Sequence, residues 1–204
     1  MKTVITIGRN FGSGGREIGL RLAQRLNIPF FDKELLRKAA EKSGMCEKIF
    51  ENFDERPKSL LYSIAMDSYM FSLPGSGASD SLEQQVYLAT FNTIRHIALQ
   101  GPCVIIGRCA DYALEDFPNK LRLFIGAPLE KRVETVMSRE DLPKEKAKAM
   151  IIKTDKRRAS YYEYYSFQKW GTVESYDFCL DSSVFGYDGT VELIEKMVEQ
   201  KEEQ

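Results

Sequence analysis

The chain has 204 residues and a mass of 23.4 kDa, which fits a single domain. Charged residues balance at 29 Lys and Arg against 30 Asp and Glu, so overall positive charge for holding a nucleic-acid backbone is excluded. No apolar run reaches the roughly 20 residues of a membrane span. The four scattered cysteines form no CxxC pair, which argues against zinc spacings and a disulfide framework. We expect a cytoplasmic protein with no signal peptide, no nucleic-acid partner and no membrane partner.

Five short segments are predicted as strands because they are rich in Val, Ile and Phe and end in Gly or Asp. They are residues 3–8, 29–32, 103–107, 121–125 and 176–181. We expect these strands to be buried on both faces, with Cys103 and Cys179 as inert core residues.

Amphipathic patterns between the strands predict helices. They are a helix that begins near residue 16 and helices over 82–97, 128–137, 143–165 and 190–200. Strands that alternate with helices indicate an α/β protein with a mostly parallel sheet. We expect one domain with its core in residues 1–32, 82–140 and 171–204. Two excursions from the sheet, residues 33–81 and 141–170, are of the kind that closes over a ligand.

A glycine-rich loop, GRNFGSGGREIG at residues 8–19, directly follows the first strand. Glycines allow backbone N–H groups to converge on an anion, and a helix N-terminus adds partial positive charge. The match to the phosphate-loop pattern GxxxxGK[ST] is inexact, because Gly15 stands at the lysine position. A tight turn without a ligand is the alternative. Arg16 favours a phosphate site, since a cation at a helix start opposes the helix dipole unless an anion is near.

Taken together in order and spacing, several segments resemble the cytidylate kinase-like proteins, in the nucleoside monophosphate kinase branch of the P-loop NTPases. The likeness covers nearly the whole chain. The matching segments are 12–19 (GSGGREIG), 28–36 (IPFFDKELL), 104–114 (VIIGRCADYAL), 117–132, 155–159 (DKRRA) and 176–183 (YDFCLDSS). The resemblance implies a P-loop NTPase-like three-layer α/β/α fold with a five-stranded parallel sheet, a helical acceptor-binding insertion at 33–81 and a lid at 141–170.

The resemblance also implies ATP-dependent phosphoryl transfer to a nucleoside monophosphate, with CMP or dCMP as the default acceptor and Mg²⁺ bridging the donor phosphates. Residues expected at the donor phosphates are Gly12, Ser13, Gly14, Gly15, Arg16 and Glu17. Residues expected at the acceptor are Asp32, Arg37, Arg108, Asp111, Asp155 and Arg158. Cations expected to act in catalysis are Arg16, Arg108, Arg157 and Arg158. No side chain is assigned to the metal.

Three departures from the family pattern affect this interpretation. The loop lysine is missing, and Arg16 is the residue placed to compensate. Glu17 stands where a hydroxyl that orients Mg²⁺ is common. Cys109 replaces the aspartate of Gly-Arg-Asp, with Asp111 two residues further on as a substitute.

Several of the candidate site residues could have a purely structural role instead. Arg108 could form a buried salt bridge with Asp111, and Asp155 with Arg158 could be an ordinary i, i+3 surface pair. Asp32 could cap the next helix, and the tyrosines at 161–165 could pack instead of stacking a base.

Two other functions stay open at this point. One is a kinase of a different small metabolite, and the other is a non-catalytic nucleotide-binding protein with a degenerate loop. The apolar residues of segment 33–81 suit either a substrate-binding subdomain or a dimer contact, so a homo-oligomer also stays open.

Overall fold

A computed structural model describes residues 2–32, 34, 35, 38 and 82–203. Five strands form one parallel sheet with the order β2-β3-β1-β4-β5. They are β1 (Val4–Arg9), β2 (Phe30–Phe31), β3 (Val104–Ile106), β4 (Lys120–Gly126) and β5 (Phe178–Asp181). All five predicted strands are confirmed, with bounds that move by one or two residues.

Helices cover both faces of this sheet. They are α1 (Gly15–Leu26), α2 (Leu82–Leu99), α3 (Ala110–Ala113), α4 (Leu129–Glu140), α5 (Lys144–Ser166) and α6 (Ser182–Glu202). The short α3 was not predicted, because one turn is too short for an amphipathic period. Helix α6 begins eight residues before the predicted start, and Gly186 at φ 67° kinks it, so the periodic pattern is broken there.

The core lies in two layers, one on each side of β1. Ile5 and Ile7 pack against Ile18 of α1 and Ile194 of α6. Val4 faces the other way and packs in the cluster that contains Ile94 and Ile97 of α2. Successive strand residues point to opposite faces, so one strand supplies both layers. This arrangement is the predicted three-layer α/β/α fold.

Strand β5 corrects one expectation. We expected every strand to be buried on both faces, but Cys179 is exposed and Phe178 is 44% exposed. Because β5 is the last strand of the sheet, its outer edge has no strand partner in the described structure. Cys103 is buried, as predicted.

Helices α4 and α5 form a separate small cluster beside the sheet. Val133 and Val136 of α4 contact Ala147 and Ile151 of α5, and all four are buried. This contact positions the middle of α5, the main helix of the predicted lid, over the loop that follows β1.

The predicted acceptor-binding insertion, residues 33–81, lies outside the described residues apart from 34, 35 and 38. Leu35 is fully buried in the cluster with α2. Within the described ranges, no helix is both long and apolar enough to cross a membrane.

Candidate active site

A cleft of about 590 Å³ opens at the carboxyl ends of the strands, where parallel α/β sheets bind their ligands. Its lining residues are Arg9, Asn10, Phe11, Gly12, Gly14, Gly15, Arg16, Glu17, Asp32, Arg108, Thr135, Arg139, Arg157, Arg158 and Tyr187. Six arginines therefore face two carboxylates. This excess of positive charge suits a polyanionic ligand such as a string of phosphates.

The glycine loop turns sharply between β1 and α1. Gly12 and Gly14 have φ values of 83° and 77°, which L side chains rarely adopt. A Cβ on Gly14 would also overlap the ring of Tyr187. The amides in the first turn of α1 have no partner within the helix and lie at its positive end. The loop and helix start therefore fit a phosphate group.

Ser13 holds this loop against the sheet. Its hydroxyl lies 2.8 Å from the carbonyl oxygen of Ile125 and 3.0 Å from that of Asn10. The hydroxyl of Ser182 donates to the carbonyl oxygen of Ser13 at 2.6 Å. Predicted as a phosphate-binding residue, Ser13 is buried, and its side chain contacts the protein.

Asp155 connects helix α5 to the glycine loop. Its carboxylate accepts hydrogen bonds from the Phe11 amide at 2.7 Å and from Asn10 Nδ2 at 3.2 Å. It also pairs with Arg132 Nη1 of α4 at 2.5 Å, and both side chains are largely buried, at 16% and 12% exposure. The residue predicted to bind substrate thus lies outside the cleft lining, where it positions α5.

Arg157 and Arg158 project from α5 into the cleft, at the place where the sequence predicted lid cations. Arg158 Nη1 donates to the carbonyl oxygen of Arg9 at 3.1 Å, and its guanidinium lies 5.6 Å from the ring centre of Phe11. These contacts bring helix α5 directly onto the end of β1.

Arg16 and Asp32 form an ion pair, with Nε 2.7 Å from Oδ2. Asp32 is 14% exposed at the end of β2, whereas Arg16 is 58% exposed. Glu17 pairs with Arg21 one turn later, at 2.9 Å. The carboxylate of Asp32 therefore balances the charge of Arg16, the cation that the sequence placed at the donor phosphates.

The turn after β3 has an uncommon backbone. Gly107, Arg108 and Cys109 have consecutive φ values of 69°, 60° and 53°. Left-handed conformations cost roughly 1–2 kcal/mol for a residue with a side chain, and such strain concentrates at functional sites. Burial lowers the pKa of Arg108 to about 10, while the nearby Tyr161 opposes this and Arg9 adds to it. Arg108 is still charged at neutral pH.

Asp111 lies behind Arg108, outside the cleft lining. Tyr162 donates its hydroxyl to Oδ2 of Asp111 at 2.6 Å, and burial raises the pKa of this carboxyl to about 6. A cavity of about 20 Å³ beside them has room for roughly one water molecule. The aromatic side chains around this small cavity belong to the protein interior.

The tyrosines of α5 pack mainly against the protein. Tyr162 stacks on Tyr176 with ring centres 6.0 Å apart, and Tyr165 stacks on Tyr87 of α2 at 3.8 Å. This matches the packing alternative for these residues.

The structure brings most of the predicted site together. Cleft-lining residues that were predicted are Gly12, Gly14, Gly15, Arg16, Glu17, Asp32, Arg108, Arg157 and Arg158. Arg37 lies outside the described residues. Sequence reasoning missed Arg9, although a signal exists. Gly8-Arg9 and Gly107-Arg108 end adjacent strands, which pair in register at Ile7 and Ile106.

No metal cluster is present in residues 2–32, 34, 35, 38 and 82–203, since no three His, Cys, Asp or Glu side chains lie where they could share an ion. The two carboxylates of the cleft, Glu17 and Asp32, each pair with an arginine.

Similarity to known proteins extends over nearly the whole chain. A family model described as Cytidylate kinase-like family matches residues 4–184. The cytidylate kinase of Methanosphaera stadtmanae is 25% identical over 200 residues, which cover 97% of this chain and 99% of that protein.

Solved structures show the same fold. An uncharacterized protein from Eubacterium ventriosum has a TM-score of 0.72 and 29% identity, with 97% of this chain and 99% of that chain covered. Shikimate kinase from Bacteroides thetaiotaomicron has a TM-score of 0.57 at 14% identity, covering 98% and 99%. The family and the fold support a kinase, an enzyme that transfers a phosphoryl group. From the match over residues 4–184, this chain belongs to the cytidylate kinase-like family.

Proposed function

We propose that this protein transfers a phosphoryl group from ATP to a nucleoside monophosphate, with CMP or dCMP as the acceptor. One observation carries the proposal: a glycine loop at a helix start opens into a cleft where six arginines face two carboxylates. Phosphoryl transfer is catalysed mainly by positioning and by cations around the transferring group, and this cleft supplies both. The similarity to cytidylate kinases supports the nucleotide acceptor.

The residues present fit the triphosphate of ATP, because the left-handed glycines and the first turn of α1 form an anion cradle. Mg·ATP held there would supply the phosphoryl group and a divalent counter-charge. The amides of Gly14 and Gly15 bind the donor phosphates. Arg108 meets the acceptor phosphate, and Arg157 with Arg158 excludes water by closing from α5.

A second acceptor class is favoured by two specific observations. Asp32, which the family resemblance assigns to the acceptor nucleoside, is engaged by Arg16 at 2.7 Å. Cys109 stands where the family has an aspartate. These two features support the alternative class, an acceptor such as a hydroxyl-bearing metabolite, and the same assay separates the two classes.

The test is ADP release from Mg·ATP, measured with a panel of nucleoside monophosphates and of small hydroxy acids. We expect rapid turnover with CMP or dCMP. Arg108→Ala should lower kcat/KM by about 100-fold or more, because a bidentate, charge-assisted contact to phosphate is lost. Arg25→Ala is the matched control, since Arg25 pairs with Glu195 at the far end of α1.

If only hydroxy acids are phosphorylated, the acceptor is a hydroxyl-bearing metabolite and not a nucleoside monophosphate. ATP binding without transfer to any acceptor would contradict the kinase proposal and leave a nucleotide-binding protein. Normal activity in Arg108→Ala, with native circular dichroism, would remove Arg108 from the acceptor site.

A further inference from the structure

The missing loop lysine has a steric cause in this structure. In the GxxxxGK[ST] pattern the lysine follows the last glycine of the loop, and here that position is Gly15. A Cβ built on Gly15 would lie 2.6 Å from the Cβ of Arg9 and 3.2 Å from its Cγ. Real Cβ atoms essentially never approach that closely. The side chain of Arg9 therefore occupies the space through which a lysine side chain at this position would leave the backbone.

The far end of the Arg9 side chain lies against a second glycine. A Cβ on Gly107 would overlap Nη1 of Arg9, so the guanidinium lies directly against the backbone at the end of β3. The Arg9 side chain thus runs from the start of α1 to the turn that carries Arg108. It lines the large cleft along this path.

Two more arginines lie near Arg9. Arg108 is the next residue after Gly107, and the charge of Arg9 contributes to the lowered pKa of Arg108. Arg158 donates a hydrogen bond to the backbone carbonyl oxygen of Arg9 and lines the same small cavity as Arg9 and Arg108. Arginine side chains brought together in a cleft are stabilised by an anion between them.

Arg16 is less well placed for this task. Its Nε donates to Asp32 at 2.7 Å, and its side chain is more than half exposed. A phosphate would have to compete with that carboxylate and with water.

We propose that Arg9 binds the donor phosphates of ATP in place of the missing loop lysine, and that Gly15 is a glycine because a side chain there would meet that of Arg9. This inference rests on the proposed function, since it names the cation that the donor requires. Sequence motif matching misses Arg9, because Arg9 precedes the loop glycines 12, 14 and 15 and the motif lysine follows them.

The experiment moves the cation back to the position after the loop glycines. Four variants are compared with the wild type: Arg9→Met, Arg9→Lys, Arg9→Gly, and the double variant Arg9→Gly/Gly15→Lys. The double variant needs glycine in place of Arg9, because the Cβ of an alanine there would still clash with the introduced lysine. Calorimetry measures binding of ATP and of inorganic tripolyphosphate, and circular dichroism checks the fold. Arg25→Ala is the control for loss of a surface arginine.

We expect Arg9→Met and Arg9→Gly to bind ATP and tripolyphosphate about 10- to 100-fold more weakly, the usual effect of losing a charge-assisted hydrogen bond. Arg9→Lys should keep more affinity than Arg9→Met. The double variant should bind at least about 5-fold more tightly than Arg9→Gly, because the lysine side chain restores the cation. Arg25→Ala should bind like the wild type.

Wild-type affinity in a folded Arg9→Met variant would overturn the inference while the proposed function stands. A folded double variant no better than Arg9→Gly would overturn the idea that Arg9 and a lysine after the loop glycines exchange roles. If the wild type neither binds ATP nor transfers phosphate, the proposed function fails first and takes this inference with it.

Discussion

Asp111 is a carboxylate enclosed by tyrosines, at 5% exposure. Burial favours its neutral form, which raises its pKa to about 6 even though Tyr162 donates a hydrogen bond to it. An unfolded Asp loses its proton near pH ~4. Between about pH 4 and 6 the folded state therefore binds more protons than the unfolded state, and stability falls as the pH rises.

Asp111→Asn removes this titration but keeps an oxygen that can accept from Tyr162. We expect the free energy of unfolding of the variant, relative to wild type, to rise by about 1–3 kcal/mol between pH 4.5 and pH 7.5. Urea denaturation at the two pH values measures it. Asp141→Asn, at an exposed position, is the control. An equal difference between variant and wild type at both pH values would contradict the raised pKa.

The carboxylate of Asp155 attaches helix α5 to the glycine loop. Asp155 joins Asn10 and the Phe11 amide of the glycine loop to Arg132 of α4. Removing one member of a largely buried ion pair leaves the other without compensation.

Asp155→Ala should lower the free energy of unfolding by about 2–4 kcal/mol and increase amide exchange in α5. Denaturation and hydrogen exchange measure the two effects. Glu134→Ala breaks the exposed Lys131–Glu134 pair on α4 and should cost less than about 0.5 kcal/mol. Unchanged stability together with weaker acceptor binding would instead support the direct substrate role predicted for Asp155.

Over the whole molecule, charge is unevenly distributed. The formal net charge is −1, yet the cleft holds six arginines and two carboxylates. A cleft with an excess of positive charge attracts an incoming anion, and salt screens that attraction.

We expect the Kd for ATP to rise about 10-fold between 50 and 500 mM KCl, because salt weakens the attraction of the arginines for the phosphates. Calorimetry across the salt series measures the change. The melting temperature in the same series shows whether the fold is affected. A constant Kd would mean that the arginines do not attract the ligand.

Local patterns were enough to predict the sheet and part of the site. Apolar strands that end in Gly or Asp, followed by amphipathic helices, determine an α/β fold because burial of each apolar stripe requires a facing layer. The position of Arg108 in the cleft was also predictable. It follows a predicted buried strand, and parallel strands end at the same edge of the sheet.

Only the tertiary structure decided the contacts between distant parts of the chain. The pairing of Arg16 with Asp32, the exposure of Cys179 at a sheet edge and the bonds of Asp155 to the loop depend on how elements lie side by side. The arrangement of Arg9 across Gly15 and Gly107 is of this kind. Sequence spacing determines which residues share an element. Which charges meet is determined by the packing of those elements, because an ion pair forms only within a few ångströms.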